Sequence, residues 1–294
     1  GTSTAHNPSH VYAAPGNYNV RLIVTNAQGC KDTTIKTVII HTPPNVTVTG
    51  ATAICQGATT GVTLTAIGAS TYSWTPPTGL SCTSCAVTTA LPASTTTYIV
   101  TGTDINGCTD TAQVTVNVNN RPNVNAVSNK TAVCIGSSAT LTATGASSYV
   151  WTPSGTLSCS TCVSPVATPI ATTTYIVTGT DANGCTDTGV VMVNVNALPN
   201  VTAGSNIAIC NGSSTILNAG GAATYVWTPS GTLSCSTCVS PTAMPTTTTT
   251  YTVTGTDANG CINSANVTVS VNALPTVSAG NNVAICNGSS TTLT

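Results

Sequence analysis

Short runs in which apolar and polar residues alternate recur along almost the whole chain. In Gln113-Val114-Thr115-Val116-Asn117-Val118 the valines fall on one face of a pleated strand and the polar residues on the other, and Val267, Val269 and Val271 repeat the pattern. Leu64 and Ala66, Leu141 and Ala143, and Leu217 and Ala219 mark an earlier strand; Tyr72 and Trp74, Tyr149 and Trp151, and Tyr225 and Trp227 mark a middle one. The strand Tyr98-Ile99-Val100-Thr101 runs into Asp104-Ile105-Asn106-Gly107, whose Asn-Gly pair suits the positive φ of a tight hairpin turn, and then into the Val114 strand. No segment has a period near 3.6. Six or seven short strands separated by turn signals predict an all-β fold, a Greek-key sandwich of the immunoglobulin-like kind.

These elements repeat. The segment Val150 to Pro165 recurs residue for residue from Val226 to Pro241, and a diverged copy, Ser73-Trp74-Thr75-Pro76 and Gly79-Leu80-Ser81-Cys82-Thr83-Ser84-Cys85, lies one period earlier. Tyr98 to Asp104 recurs as Tyr175 to Asp181 and again as Tyr251 to Asp257. The period these offsets define is too long for a solenoid unit that needs neighbours to bury its core, and suits an autonomous module. Complete modules are placed at 43–119, 120–196 and 197–272; residues 1–42 read as the late strands of a partial module and 273–294 as the early strands of another. The junctions, such as Asn194-Val195-Asn196-Ala197-Leu198-Pro199, contain Pro and almost no Gly, which predicts short stiff connections and an elongated rod.

Composition narrows the function classes. With five basic and six acidic side chains, every acid an Asp, the chain has neither the charge balance of a nucleic-acid binder nor that of a disordered tail. Fourteen cysteines point to an oxidising, extracellular compartment. No apolar run approaches the length that crosses a bilayer, so no membrane insertion is expected within this segment.

Each complete module holds four cysteines: Cys55, Cys82, Cys85 and Cys108; Cys134, Cys159, Cys162 and Cys185; Cys210, Cys235, Cys238 and Cys261. The simplest pairing joins early to late within a module, as Cys55–Cys108, Cys134–Cys185 and Cys210–Cys261, each worth about 4 kcal/mol by loop entropy. Each C-x-x-C would close on itself for about 2 kcal/mol. Sequence leaves connectivity undetermined, and bridges between modules stay open. Cys30 is a late-type cysteine and Cys286 an early-type one, each without its partner in view, so both are expected to pair outside this window or between chains. Either the window is cut from a longer polypeptide, or one chain's tail completes another's head with Cys286 meeting Cys30. Redox and zinc readings of C-x-x-C fare worse, because the first wants the motif opening a helix and the second wants a reducing setting.

Other candidates are weaker. Asp104-Ile105-Asn106-Gly107, Asp181-Ala182-Asn183-Gly184 and Asp257-Ala258-Asn259-Gly260 look like the opening of a calcium loop, but the chain has no Glu to complete one, and a turn is the favoured reading over calcium. Trp74, Trp151 and Trp227 are either core plugs or sugar-stacking platforms, the former being the usual use in a sandwich. His6, His10 and His41 share no metal spacing. Six Asn-x-Ser/Thr triplets, at Asn45, Asn129, Asn200, Asn211, Asn266 and Asn287, match N-glycosylation acceptors, at a density expected by chance in so Asn- and Thr-rich a chain. No nucleophile, base and orienting acid recur together, so no enzyme activity is expected.

Asn7-Pro8-Ser9-His10-Val11-Tyr12, with Pro15-Gly16-Asn17-Tyr18-Asn19-Val20 and Val24-Thr25-Asn26-Ala27-Gln28-Gly29-Cys30, resembles the second half of a PKD (polycystic-kidney-disease-type) domain. The later modules, with Ile-Cys-x-Gly, Tyr-x-Trp-x-Pro and Asn-Gly-Cys, resemble the PKD/Ig-like repeats of very large Bacteroidetes-type surface proteins, including gliding-motility adhesins of the SprB kind. The resemblance implies type IX secretion, surface display, and service as adhesin, stalk or filament, and it makes Thr33 and Thr111, in Asp-Thr-Thr and Asp-Thr-Ala, O-glycan acceptors. The expected partners are neighbouring modules or like chains in a filament. Surface glycans or other cells are the alternative, and accessory repeats of a larger secreted enzyme a third.

Overall fold

The computed structural model describes residues 1–292, and every regular element in them is a strand. Among them no helix is long and apolar enough to cross a membrane. The chain falls into two compact units: Gly1–Asn123 with Gly145–Ser148 and Gly179–Asp187, and Val124–Thr144 with Tyr149–Thr178 and the chain from Thr188 onward. The division does not follow the sequence period, because two short stretches of the second repeat group with the first.

At the start, β1 (Gly16–Thr25) and β2 (Lys31–Ile40) form an antiparallel hairpin. Its Val20, Leu22, Val24 and Ile39 are exposed, so this sheet has no covering layer among the described residues. The first repeat holds β3 (Thr47–Gly50), β4 (Ala53–Cys55), β5 (Val62–Ile67), β6 (Thr71–Thr75), β7 (Val87–Ala90), β8 (Thr96–Thr103) and β9 (Thr109–Asn119). One sheet has the order β3-β5-β7 and the other β4-β9-β8-β6. The opening strand is therefore shared between sheets. Its first part lies antiparallel to β5, and its second part lies parallel to the last strand, with Ala53 opposite Asn117 and Cys55 opposite Asn119.

The second repeat follows the same plan with β10 (Asn125–Ser128), β11 (Ala132–Cys134), β12 (Ala139–Thr144), β13 (Ser148–Thr152), β14 (Val166–Ala167), β15 (Thr173–Thr180) and β16 (Thr186–Asn196). Its sheets run β10-β12-β14 and β11-β16-β15-β13. In the third, β17 (Ile207–Cys210), β18 (Thr215–Ile216), β19 (Thr224–Thr228), β20 (Thr242–Ala243), β21 (Thr249–Thr256) and β22 (Ile262–Asn272) give β17-β22-β21-β19 and a reduced β18-β20 pair. There the counterpart of β10 shrinks to a single bridge, Thr202 to Gly220. Where the second repeat has β-branched Thr142 and Thr144, the third has Asn218 and Gly220, both poor strand residues, which accounts for the shortening. Residues 273–292 contain no strand, and the last two residues of the expected 273–294 segment lie outside the described residues.

The chain is thus all-β, a tandem series of immunoglobulin-like sandwiches. Alternation explains the cores: Leu64, Trp74, Tyr98, Val100 and Val116 meet between the sheets of the first repeat, as Leu217, Trp227, Tyr251, Val253 and Val269 do in the third. Leu141, Trp151 and Tyr175 are equally buried in the second. Close packing at the corner before the middle strand requires glycine. A Cβ on Gly68 would run into the Asn45 carbonyl oxygen, and one on Gly221 into that of Asn200.

Candidate functional site

The feature with chemical consequence is the cysteine network, and three local devices position it. The first is the turn between the last two strands. Asp104 Oδ1 accepts hydrogen bonds from the N–H of Asn106 and of Cys108, each at 2.8 Å; Asp181 and Asp257 repeat both bonds with Asn183 and Cys185 and with Asn259 and Cys261, again at 2.8 Å. Gly107, Gly184 and Gly260 supply the positive φ, between 78° and 82°. The carboxylate therefore fixes the cysteine backbone. Asp104 Oδ2 accepts the Asn106 Nδ2–H at 3.3 Å, and no group of three or more metal-ligating side chains occurs among the described residues. In the opening hairpin Asn26 Oδ1 does the same for Gln28 and Cys30, at 3.1 and 2.9 Å.

The second device is the C-x-x-C loop. Cys82 is joined to Cys85, Cys159 to Cys162 and Cys235 to Cys238. Each loop lies along the edge strand that carries the tryptophan. Trp74 donates its backbone N–H to the Thr83 carbonyl at 2.8 Å and its indole Nε1–H to the Cys85 carbonyl at 2.9 Å. Trp151 and Trp227 make the same pair of bonds, to Ser160 and Cys162 and to Ser236 and Cys238. The tryptophans are core plugs with their polar edge satisfied, and the small disulfide loops occupy hydrogen-bonding positions that an open sheet edge would expose. Alongside, Tyr98 donates its hydroxyl hydrogen to the Thr78 carbonyl at 2.7 Å, and burial pushes its phenol up from the ordinary value.

The third device decides the remaining bridges, and here the structure corrects the expected pairing. Cys55 is joined to Cys185, not to Cys108; Cys134 is joined to Cys261, not to Cys185; Cys210 is not joined to Cys261. Cys30, Cys108, Cys210 and Cys286 carry free thiols. The reason is the parallel pairing of the split first strand. It sets Cys55 opposite Asn119, the final residue of β9, whereas Cys108 directly precedes Thr109, the first. At about 3.3 Å per residue the strand separates its ends by roughly 33 Å, while a disulfide requires Cα atoms about 4.4–6.8 Å apart. Early and late cysteines of one repeat sit at opposite ends of their sandwich. The early cysteine instead meets the late cysteine of the following repeat, with Cα separations of 5.5 and 5.6 Å.

The surroundings reinforce this register. The residue after each early cysteine donates its N–H to the end of the last strand, Gln56 to Asn119, Ile135 to Asn196 and Asn211 to Asn272. Arg121, in the segment after β9, donates Nε–H to the Gln56 carbonyl at 2.8 Å. Around Cys134, a depression of about 290 Å³ is lined by Ile135, Leu198, Gly260 and Ile262. A second, shallower one of about 560 Å³ is lined by Thr59, Thr60, Leu80, Ser81 and Leu91 and has no ionisable side chain.

Asp110 ties the first strand to the last. The Val46 N–H, donating to its Oδ2 at 2.9 Å, is the main cause holding this carboxyl below the usual carboxylate range, followed by the Thr111 N–H. For Asp104, partial desolvation is the largest single influence and would raise the carboxyl, but the bonds from Cys108 and Asn106, with His41 nearby, outweigh it and the group is lowered. A carboxyl whose folded pKa is depressed contributes stability that is complete above its unfolded value, about 3.9, and is lost as pH falls through the folded one. Amide-exchange protection of β9 is therefore expected to stay level from neutral pH to about 4 and to decline below it. Asp110→Asn should lower the plateau and flatten the acid decline; an unchanged decline would show that Asp110 does not carry it.

Residues 1–40 match the family model of the PKD domain, the same segment that resembles it by motif. No curated protein matches the sequence. Among solved structures, the chain is similar to the N-terminal eight Ig domains of Down Syndrome Cell Adhesion Molecule, at 14% identity over 88% of this chain and 40% of that one, with a TM-score of 0.37. It is also similar to a Ca2+-stabilized adhesin that helps an Antarctic bacterium reach out and bind ice, at 14% identity over 87% of this chain and 82% of that one, TM-score 0.35. A third likeness is to the human Desmocollin-1 ectodomain, at 12% identity over 88% and 68%, TM-score 0.27. The chain thus spans two fifths of the length of the first of these.

Proposed function

We propose that this chain is part of an exported, non-catalytic surface protein whose modules form a stiff, sulfur-reinforced stalk or filament. The observation that carries the reading is the pair of bridges Cys55–Cys185 and Cys134–Cys261, which cross repeat boundaries with sequence separations of 130 and 127. Such closures are worth about 5 kcal/mol apiece by loop entropy, and they persist only outside reducing compartments. Near-identical repeats suit a spacer, which needs length more than distinct sites. By resemblance to Bacteroidetes-type adhesins the export route is type IX, and Thr33 and Thr111, both exposed strand residues, are the O-glycan acceptors.

Labelling of intact producing cells with a membrane-impermeant amine reagent tests this, since Lys31, Lys36 and Lys130 are exposed. The expected result is label on the chain without lysis, both repeat-spanning bridges intact in non-reducing peptide maps, and no saturable binding of the purified chain on a glycan array. Labelling only after lysis would overturn surface display. A saturable glycan affinity would replace the spacer with a binding module.

A further inference from the structure

We infer that Cys210 and Cys108 are open rungs of the same ladder, each reserved for a cysteine of complementary type in a further sandwich of this kind. The two formed bridges define one rule: the early cysteine of a repeat takes the late cysteine of the repeat that follows. Among the described residues Cys108 and Cys210 are left without the partner that rule calls for.

Both thiols are held as their bridged counterparts are. Cys210 lies parallel to and opposite Asn272, as Cys55 lies opposite Asn119 and Cys134 opposite Asn196. Asn211 then donates to Asn272 at 2.9 Å, as Ile135 does to Asn196 at 3.0 Å. On the other side, Cys108 is fixed by the Asp104 carboxylate through the same 2.8 Å bond that fixes Cys185 and Cys261. Exposure marks what is missing. Of the late cysteines, the bridged Cys185 and Cys261 are completely buried and Cys108 is half-exposed; of the early ones, the bridged Cys55 and Cys134 are partly buried and Cys210 is exposed. Leu198, which lines the depression at the Cys134 bridge, is 40% exposed, whereas Leu274, its counterpart at the following junction, is 61% exposed.

The partner of Cys210 is thus a hairpin turn of the Asp-x-Asn-Gly-Cys type, and the partner of Cys108 is a cysteine ending a short strand parallel to a last strand. Closing either bridge joins two thiols and releases two protons and two electrons, which the oxidising, disulfide-forming machinery of the export compartment accepts. The rule rests on the bridge register alone and stands whether or not the modules serve as a stalk.

The junction Asn272-Ala273-Leu274-Pro275 repeats Asn196-Ala197-Leu198-Pro199, which makes a direct test simple. The chain is prepared with residues 273–294 replaced by a second copy of 197–272, oxidised, and treated with N-ethylmaleimide before denaturation. Cys210 should lose its reactivity and map to the late cysteine of the added copy, while Cys108 and the added early cysteine stay reactive. A Ser at that added late position should restore reactivity at Cys210 and leave the fold's amide protection intact. Cys210 remaining reactive in the extended chain, or mapping to any other cysteine, would overturn the inference.

Discussion

Held at its two ends and stretched without reductant, the chain is expected to yield far less length than its residue count allows, and to release the rest when reductant is added. The bridges explain why. The backbone from Cys55 to Cys261 passes through most of the three repeats, but a taut path can cross from Cys55 to Cys185, run back along the chain to Cys134, and cross again to Cys261. The only backbone on that path is the stretch between Cys134 and Cys185. At about 3.5 Å per residue the path reaches roughly 180 Å when every strand has been pulled out, against roughly 720 Å for the whole stretch once the sulfurs are reduced. Single-molecule force spectroscopy reads the difference directly. Equal contour lengths before and after reduction would rule out the staggered pairing. Closures inside each repeat would leave the same number of residues on the taut path, roughly the same 180 Å, so non-reducing peptide mapping tells the two schemes apart. Cys55 linked to Cys185 supports the staggered one, and Cys55 linked to Cys108 would return the early-to-late one.

The second large effect concerns the tryptophan. Trp227 is completely buried and its indole donates to the Cys238 carbonyl at 3.1 Å. Trp227→Ala removes the largest buried side chain of its core and strips that carbonyl of its donor. A loss of about 3–5 kcal/mol is expected from the cavity, with about 1 kcal/mol from the unmade bond. Because several sandwiches share one chain, a single melting temperature is a poor readout, and native-state hydrogen exchange resolves the site better. Protection should collapse in β19, β21 and β22 and hold in β5 to β9. Trp227→Phe, which keeps most of the volume, should lose far less. If the Ala variant left third-repeat protection unchanged, the indole would not be what anchors the C-x-x-C loop.

Much of this was legible in the residues, for a physical reason that also marks the boundary. Period-two alternation in Gln113 to Val118, the Asn106-Gly107 turn and the recurring Trp depend on neighbours in sequence, and these elements stand where the pattern puts them. The pairing of Cys55 depends on a short parallel contact with β9, a strand at the far end of the same repeat. Repetition hides that contact, because every early cysteine sees an equivalent late cysteine in its own repeat and in the next. One signal was available: the 11-residue strand from Thr109 to Asn119 holds its two ends far apart, so the pairing follows once the opening strand is known to run parallel to it. The weak β18 strand had a visible cause as well, in Asn218 and Gly220.

The overlap of the two sulfur links also governs what happens when the backbone is broken. A cut between Cys55 and Cys134 is spanned by the first link, a cut between Cys185 and Cys261 by the second, and a cut between Cys134 and Cys185 by both. A protease that clips any one peptide bond in this stretch therefore leaves a nicked molecule that is still a single covalent body, as a rope with lapped splices survives the loss of one yarn.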